Sequence, residues 1–265
     1  MGDAALGSGR TALVTGATSG IGAAFARRLA VEGYDLVLVA RDEARLTGFA
    51  AEVTDRHKVG VTVLAADLAT VAGCERIQER LADDDAPVDL LVNNAGRSLN
   101  RSFLRSSVEA EEQMLALNVH AVMRLTMAAL PGMVRRRRGD IVNVSSVAGF
   151  AAAQPGSTYG ASKAWVTHFS ESVALAAKPH RVRVMALCPG YTRTEFHDRA
   201  GINMSRTPEW LWLTAEAVVR DGLRDLRRGR SVSVPDWRYK VAAFGMRHLP
   251  AGIIRGVAKD TRGTT

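Results

Sequence analysis

Cysteine is nearly absent from this chain, with only Cys74 and Cys188 in 265 residues. That excludes a disulfide framework and suits free thiols in a reducing compartment, so a cytoplasmic location is expected. Lysine is scarce too, five residues against 30 arginines, and the formal charge of +8 rests almost wholly on guanidinium groups. No apolar run reaches the roughly 18–20 residues that cross a bilayer. Met1–Arg10 lacks the apolar core of a secretory signal. His120, His168 and His197 stand far apart without the spacing of metal ligands, so no metal is expected. Internal repeats and low-complexity blocks are missing as well. What is present is a hydrophobic content of 47%, enough to exclude disorder and to bury one large core.

The densest charge is the run Arg135–Arg138. Read as a helix end, it is a solvated cap whose cations complement the helix dipole. Read as a docking patch, it would take an acidic acyl carrier or a coenzyme A phosphate. No recognition motif accompanies it, so nucleic acid is not an expected partner.

Short Val-, Leu- and Ile-rich stretches alternate with helical periodicity from the start. Strands are expected at Thr11–Thr15, Asp35–Ala40, Val61–Ala65, Val88–Asn93, Asp140–Ser145, Arg181–Leu187 and Ser231–Val234. Helices are expected at Gly20–Glu32, Glu43–Arg56, Val71–Asp84, Val108–Arg137, Thr158–Lys178 and Thr214–Arg228. This order predicts a single α/β domain, a doubly wound parallel sheet whose ligand crevice lies at the carboxyl ends of the strands.

The first strand runs into Thr15-Gly16-Ala17-Thr18-Ser19-Gly20-Ile21-Gly22. Glycines there let the chain turn tightly and bring backbone N–H groups to a pyrophosphate favoured by the helix N-terminus, so Gly16, Thr18, Ser19, Gly20 and Ile21 are candidate dinucleotide contacts. The spacing is G-x-x-x-G-x-G rather than G-x-G-x-x-G, and alone it is weak. About 20 residues on, the second strand ends in Arg41, where an arginine accommodates a 2′-phosphate; this points to NADP(H). Asp42 is expected to cap the next helix. Asp67, followed by Leu68, is placed either against the adenine or as a helix cap. After the fourth strand, Asn93 reads as structural, and Asn94, Ala95 and Gly96 as facing the cofactor.

Of four tyrosines, only Tyr159 has a lysine four residues later, Lys163, on the same helix face. A free tyrosine, near pKa 10, is a poor acid at neutral pH, and a nearby ammonium lowers that value. Lys163 can also hydrogen-bond a ribose. Thirteen residues before Tyr159 stands Ser146, whose hydroxyl can polarise a carbonyl; Ser145 competes for the role, and the spacing favours Ser146.

Taken together, the glycine turn, Asn93–Gly96, Asn118, Ser146, Tyr159-Gly160-Ala161-Ser162-Lys163 and Pro189-Gly190 with Thr194 resemble a short-chain dehydrogenase/reductase over roughly residues 10 to 235. The resemblance implies a Rossmann-type seven-stranded sheet, a carbonyl–alcohol oxidoreductase, and a homodimer or homotetramer built on the two long helices. It implies that Asn118 is catalytic, holding a water that joins the lysine to solvent. It also implies that Pro189, Gly190, Thr192 and Thr194 border the nicotinamide, with Tyr159 and Lys163 serving catalysis and cofactor alike. The chain then divides into a flexible amino terminus at 1–9, the catalytic domain at 10–235, and a basic amphipathic extension at 236–265.

In such proteins the segment after Pro189-Gly190 shapes the substrate pocket. Here Phe196, Ile202, Met204, Trp210, Leu211, Trp212 and Leu213 make it apolar, either as a lid over a lipophilic small molecule or as a core helix. The layout is similar to that of bacterial 3-oxoacyl-type reductases. The tail Trp237–Lys259 reads as a basic amphipathic helix interrupted at Pro250. It suits a dimer contact, a pocket cover or a peripheral membrane foot. An NAD-dependent alcohol dehydrogenase of the same family and a non-catalytic dinucleotide-binding regulator remain as alternatives.

Overall fold

The computed structural model describes residues 7–152, 157–205, 207–250 and 252–254. The start of the expected flexible terminus, as far as residue 6, and the end of the expected extension, from 255 on, lie outside the described residues. Gly7 is buried, donates to Glu32 O (2.8 Å) and packs on Tyr34.

Seven parallel strands form one sheet: β1 Thr11–Thr15, β2 Asp35–Ala40, β3 Val61–Ala65, β4 Leu90–Asn93, β5 Gly139–Val144, β6 Val182–Leu187 and β7 Val232–Ser233. Their order is β3-β2-β1-β4-β5-β6-β7, so the winding reverses between β1 and β4. A crevice opens beyond the strand ends at such a reversal. The first three expected strands match in both bounds. The fourth starts two residues later than expected, and the last shrinks to two residues.

Helices α1 (Gly20–Val31), α2 (Glu43–His57) and α8 (Ala215–Arg227) cover one face. On the other lie α3 (Val71–Ala82), α5 (Ala121–Arg136) and α6 (Tyr159–Ala177). Strand residues alternate between the two resulting cores: Val14 and Leu38 point into the first, Leu13 and Val39 into the second. Fully buried side chains such as Phe25, Leu29, Ile77 and Leu125 each contribute about 1.5–3 kcal/mol.

The expected helix Val108–Arg137 departs from regularity. It consists of α4 (Val108–Leu115), a π-helical segment Ala116–His120, and α5. By length and composition Val108–Arg136 would span a bilayer, which qualifies the sequence expectation, but core helices pass the same test. Here Ala121, Leu125, Ala129 and Met133 pack it into the second core. At its end Arg135 and Arg136 pair with Asp84, Arg137 donates to Pro179 O and Arg138 bonds Asp89. Each arginine of the run thus has a partner within the fold, at a helix end where Arg135 and Arg138 stay about half exposed.

Two further α-helices follow among the described residues: α7 (Phe196–Arg199) after β6, and α9 (Trp237–His248), which stops just before Pro250.

Candidate active site

The glycine turn lies at the reversal point. Gly16 and Gly20 take φ of +64° and +53°, conformations that favour glycine. A Cβ on Gly22 would stand 2.2 Å from Gly16 O, so the helix starts in direct contact with the turn. Ser19, the N-cap of α1, makes no side-chain cap, and the first-turn N–H groups of a helix have no intrahelical partner. This cradle fits a pyrophosphate. Thr15 Oγ1 accepts from the N–H of both Asn94 and Ala95, and Asn94 Nδ2 donates to Thr15 O, which ties the end of β4 to the end of β1. Asn94 therefore positions the crevice through its side chain, with Ala95 and Gly96 following it.

Ala17 N–H bonds Val39 O, so Arg41 stands exposed just past the β2 residue that meets the turn. Asp42 caps α2 by accepting from Arg45 N–H (3.0 Å). Thr70, not Asp67, caps α3; Asp67 accepts from Ala69 N–H instead, and the capping alternative for Asp67 falls away. Leu68 beside it is buried.

Across the crevice, the hydroxyl of Ser145 is engaged with Lys163 O (2.7 Å) and Thr167 Oγ1 (2.8 Å) in the core. Ser146 is half-buried, and its Oγ accepts from Ala148 N–H, which leaves its own proton to donate. The two neighbouring serines are therefore distinct in kind.

Tyr159 opens α6, and Lys163 lies one turn on with Nζ 5.8 Å from the centre of the phenol ring. Lys163 is buried, donates to Val144 O (2.9 Å), and its ammonium is pushed down to about 8 by desolvation. Gly96 reaches the same place, since a Cβ there would meet Asn118 Oδ1 at 3.2 Å and Lys163 Nζ at 3.5 Å. Asn118 sits in the π-helical segment, fully buried. Its amide is doubly bonded to the Arg97 backbone (2.9 Å each) and donates to Ser162 Oγ (3.3 Å). Beneath this cluster, Asn93, Asn143, Thr126 and Ser170 form a buried chain joining β4 and β5 to α5 and α6.

The loop after β6 closes the crevice. Thr194 lies against the turn, its side chain 2.7 Å from a Cβ placed on Gly20. Thr192 is buried and bonds Gly190 O. Gly190 follows Pro189 and packs against the ring of Tyr239 on α9, whose hydroxyl accepts from Tyr191 N–H and donates to Leu211 O. Phe196 brings its ring to 6.0 Å from that of Tyr159, beside a cluster of Tyr191, His197 and Trp212. A cavity of about 430 Å³ is lined by Arg193, Thr194, His197, Ile202, Met204 and Trp212. The apolar segment is no single core helix; among its described residues it carries α7 and a 3-10 turn at Glu209–Leu211, buries Ile202 and Leu213 and leaves Trp210 exposed.

Several site residues escaped the sequence reading. Arg193 pairs with Glu209 and lies over Trp212, and Glu195 joins α2 through Arg45 (2.5 Å). Glu111, buried on α4, bonds Thr158 at the start of α6. Its surroundings in the sequence, the acidic stretch Glu109–Glu112, give no signal that singles it out.

Comparison with known proteins shows the family and the fold. A family described as short chain dehydrogenase matches residues 10–204. Oxidoreductase UcpA of Salmonella typhimurium is 37% identical over 189 residues, 71% of each chain. A short-chain dehydrogenase from Sphingobium yanoikuyae in complex with NADPH superposes with a TM-score of 0.84 at 37% identity, covering 95% of this chain and 97% of that one. A bulky-bulky ketone specific alcohol dehydrogenase from Comamonas testosteroni gives a TM-score of 0.78 at 30% identity, covering 91% and 99%.

Proposed function

Because the chain belongs to the short-chain dehydrogenase family, we propose that it is an NADP(H)-dependent reductase of a lipophilic ketone, with Tyr159 as proton donor. The observation that carries this reading is the buried Lys163 ammonium one helical turn from the Tyr159 phenol, beside Asn118 and Gly96. When bound, NADPH supplies the hydride. Tyr159 protonates the carbonyl oxygen and Ser146 holds that oxygen by a hydrogen bond. Lys163 keeps positive charge beside the phenol and so favours loss of its proton. Asn118 links the lysine to solvent through a water, which returns the proton.

Arg41 at the end of β2 supports NADP(H) over NAD(H), and the Sphingobium relative was solved with NADPH. The aromatic cluster beside Tyr159 supports a bulky apolar substrate, either a ketone such as the Comamonas enzyme is specific for or the acyl type. The 430 Å³ cavity, lined by Arg193, Asp198 and Ser205 as well as Ile202, Met204 and Trp212, adds room of mixed polarity. On α9, exposed Trp237, Val241 and Phe244 beside Lys240 and Arg247 support contact with an anionic surface or an acyl carrier. Two buried free thiols suit the cytoplasm.

The test is a ketone screen spanning diketones, steroids and acyl thioesters, followed by the loss of NADPH fluorescence. Tyr159→Phe is expected to lower turnover by about 10²–10⁴-fold with NADPH still bound. Turnover in that variant close to the parent would defeat the proton-donor role. Binding of NADPH with no reaction on any substrate would favour a regulator, and faster turnover with NADH would favour the NAD-dependent alternative.

A further inference from the structure

The helix that carries Tyr159 has an unusual start. Its N-cap, Thr158, makes no side-chain cap of its own first turn. Ser157 Oγ accepts from Tyr159 N–H (3.4 Å), and the N-cap residue itself is held from another helix: Glu111 Oε2 accepts from Thr158 N–H (3.1 Å) and from Thr158 Oγ1 (2.7 Å). Glu111 is 6% exposed, and a carboxylate at a helix N-terminus is favoured by the positive end of its dipole. Desolvation pushes this carboxyl up, but its polar neighbours outweigh it, so the group lies below its ordinary value. Thr158 donates both bonds to Oε2, while Glu111 Oε1 and Ser106 Oγ have no hydrogen-bond partner among the described residues.

Seven residues further along the same continuous helix, Asn118 donates to Ser162 Oγ (3.3 Å). Thr158 and Ser162 are four residues apart on α6, and Tyr159 and Lys163 are the next residue in each case. Ser162 Oγ also donates to Tyr159 O (2.7 Å), and Ser162 N–H to Thr158 O (2.8 Å). The α4–α5 helix therefore grips the first turn of α6 at two points, one beside each member of the Tyr-Lys pair.

We propose that Glu111 is a positioning residue for the reaction, holding the Tyr159 phenol in register with Lys163 through its hydrogen bonds to Thr158. The inference rests on Tyr159 being the proton donor. Glu111 touches neither substrate nor cofactor; it acts through the backbone at the head of the helix.

Two variants separate the anchor from its charge. Glu111→Gln and Glu111→Ala both remove the negative charge, but only glutamine keeps an oxygen able to accept both Thr158 bonds. Their difference therefore reads the anchor alone. In the ketone-reduction assay, E111Q is expected within about threefold of the parent, and E111A to lose about 10- to 100-fold in kcat with NADPH affinity unchanged. The phenolate of Tyr159, titrated by ultraviolet absorbance against a Tyr159→Phe background, is expected to ionise at higher pH in E111A than in E111Q. This second readout needs no substrate. The milder Thr158→Val, which keeps the N–H bond and loses the hydroxyl bond, is expected to fall between the two and covers the case in which E111A folds poorly.

Equal kcat and equal phenolate titration in E111A, T158V and E111Q would overturn the proposal. So would parallel losses of melting temperature, NADPH affinity and kcat, which mark a merely structural acid. If Y159F itself retains turnover, the proton-donor reading fails first; if Y159F is inactive while E111A is fully active, only the positioning role falls.

Discussion

The two sides of the crevice are built from different materials. On the β1–β2 side, contacts come from the backbone: a turn of glycines, uncapped N–H groups at α1, and Thr15 and Asn94 holding main chain to main chain. On the β5–β6 side they come from side chains in a buried polar network, with Asn118, Ser162 and Lys163 all less than a tenth exposed. The first side is vulnerable to added atoms and the second to removed ones. A surface that binds a constant, charged group can rely on main chain, whereas moving a proton needs a particular titratable group in a particular field.

That contrast can be broken at three further points. The largest effect is expected from Gly22→Ala, a single methyl on the backbone side. Its Cβ would press on Gly16 O at 2.2 Å, and overpacking of this kind costs about 1–3 kcal/mol, or up to about 100-fold in NADPH affinity measured by fluorescence titration. Unaltered affinity would show the turn to be more yielding than its geometry implies.

Next comes pH on the side-chain half. Lys163 loses its proton near 8 in the folded chain against 10.5 for the ordinary side chain. Above about 8 the phenol loses its neighbouring charge, so ketone reduction is expected to fall by about tenfold per pH unit. Stability is expected to move the other way. Between 8 and 10.5 the unfolded chain binds the proton that the folded chain has released, so this residue makes unfolding harder as pH rises. Denaturant titrations beside rate profiles across that window read both slopes, and slopes of the same sign would remove Lys163 as their common source.

The smallest effect is expected from Arg41→Ala, which removes an exposed side chain from the otherwise backbone-built half. A charged hydrogen-bonding contact is worth about 1.5–3 kcal/mol when formed in full and less in solvent. The ratio of NADPH to NADH efficiency is therefore expected to fall by about tenfold. An unchanged ratio would move recognition of the 2′-phosphate elsewhere.

The same contrast governs what could be read from sequence. β1, β2 and β3 were legible to the residue as short Val/Leu runs bounded by turn residues, even though β3 is an edge strand with no fully buried position. The glycine turn was legible because glycine marks backbone geometry directly. Lys163 announced itself by its spacing from Tyr159, but Asn118 did not: a π-helical segment has no sequence signature, and only resemblance to a family singled it out. Glu111 sits in the acidic stretch Glu109–Glu112, which reads as solvated surface, and nothing local says that one of these carboxylates faces a helix start across the fold. Ser145 and Ser146 were told apart by spacing alone; the partners that distinguish them, Lys163 O and Thr167, come from another element. Long-range pairs such as Arg45 with Glu195 are invisible to any pattern within one segment.

The aromatic ring of Tyr239 fills the space where a side chain on residue 190 would be, and its hydroxyl grips the main chain on both sides of the pocket loop. Positions 190 and 239 are consequently coupled sterically: any larger residue at the first must displace the ring at the second. A lineage drifting toward new substrates, or an engineer seeking them, has freedom in the stretch around Phe196 and Trp212 but must leave that pair untouched or exchange both together.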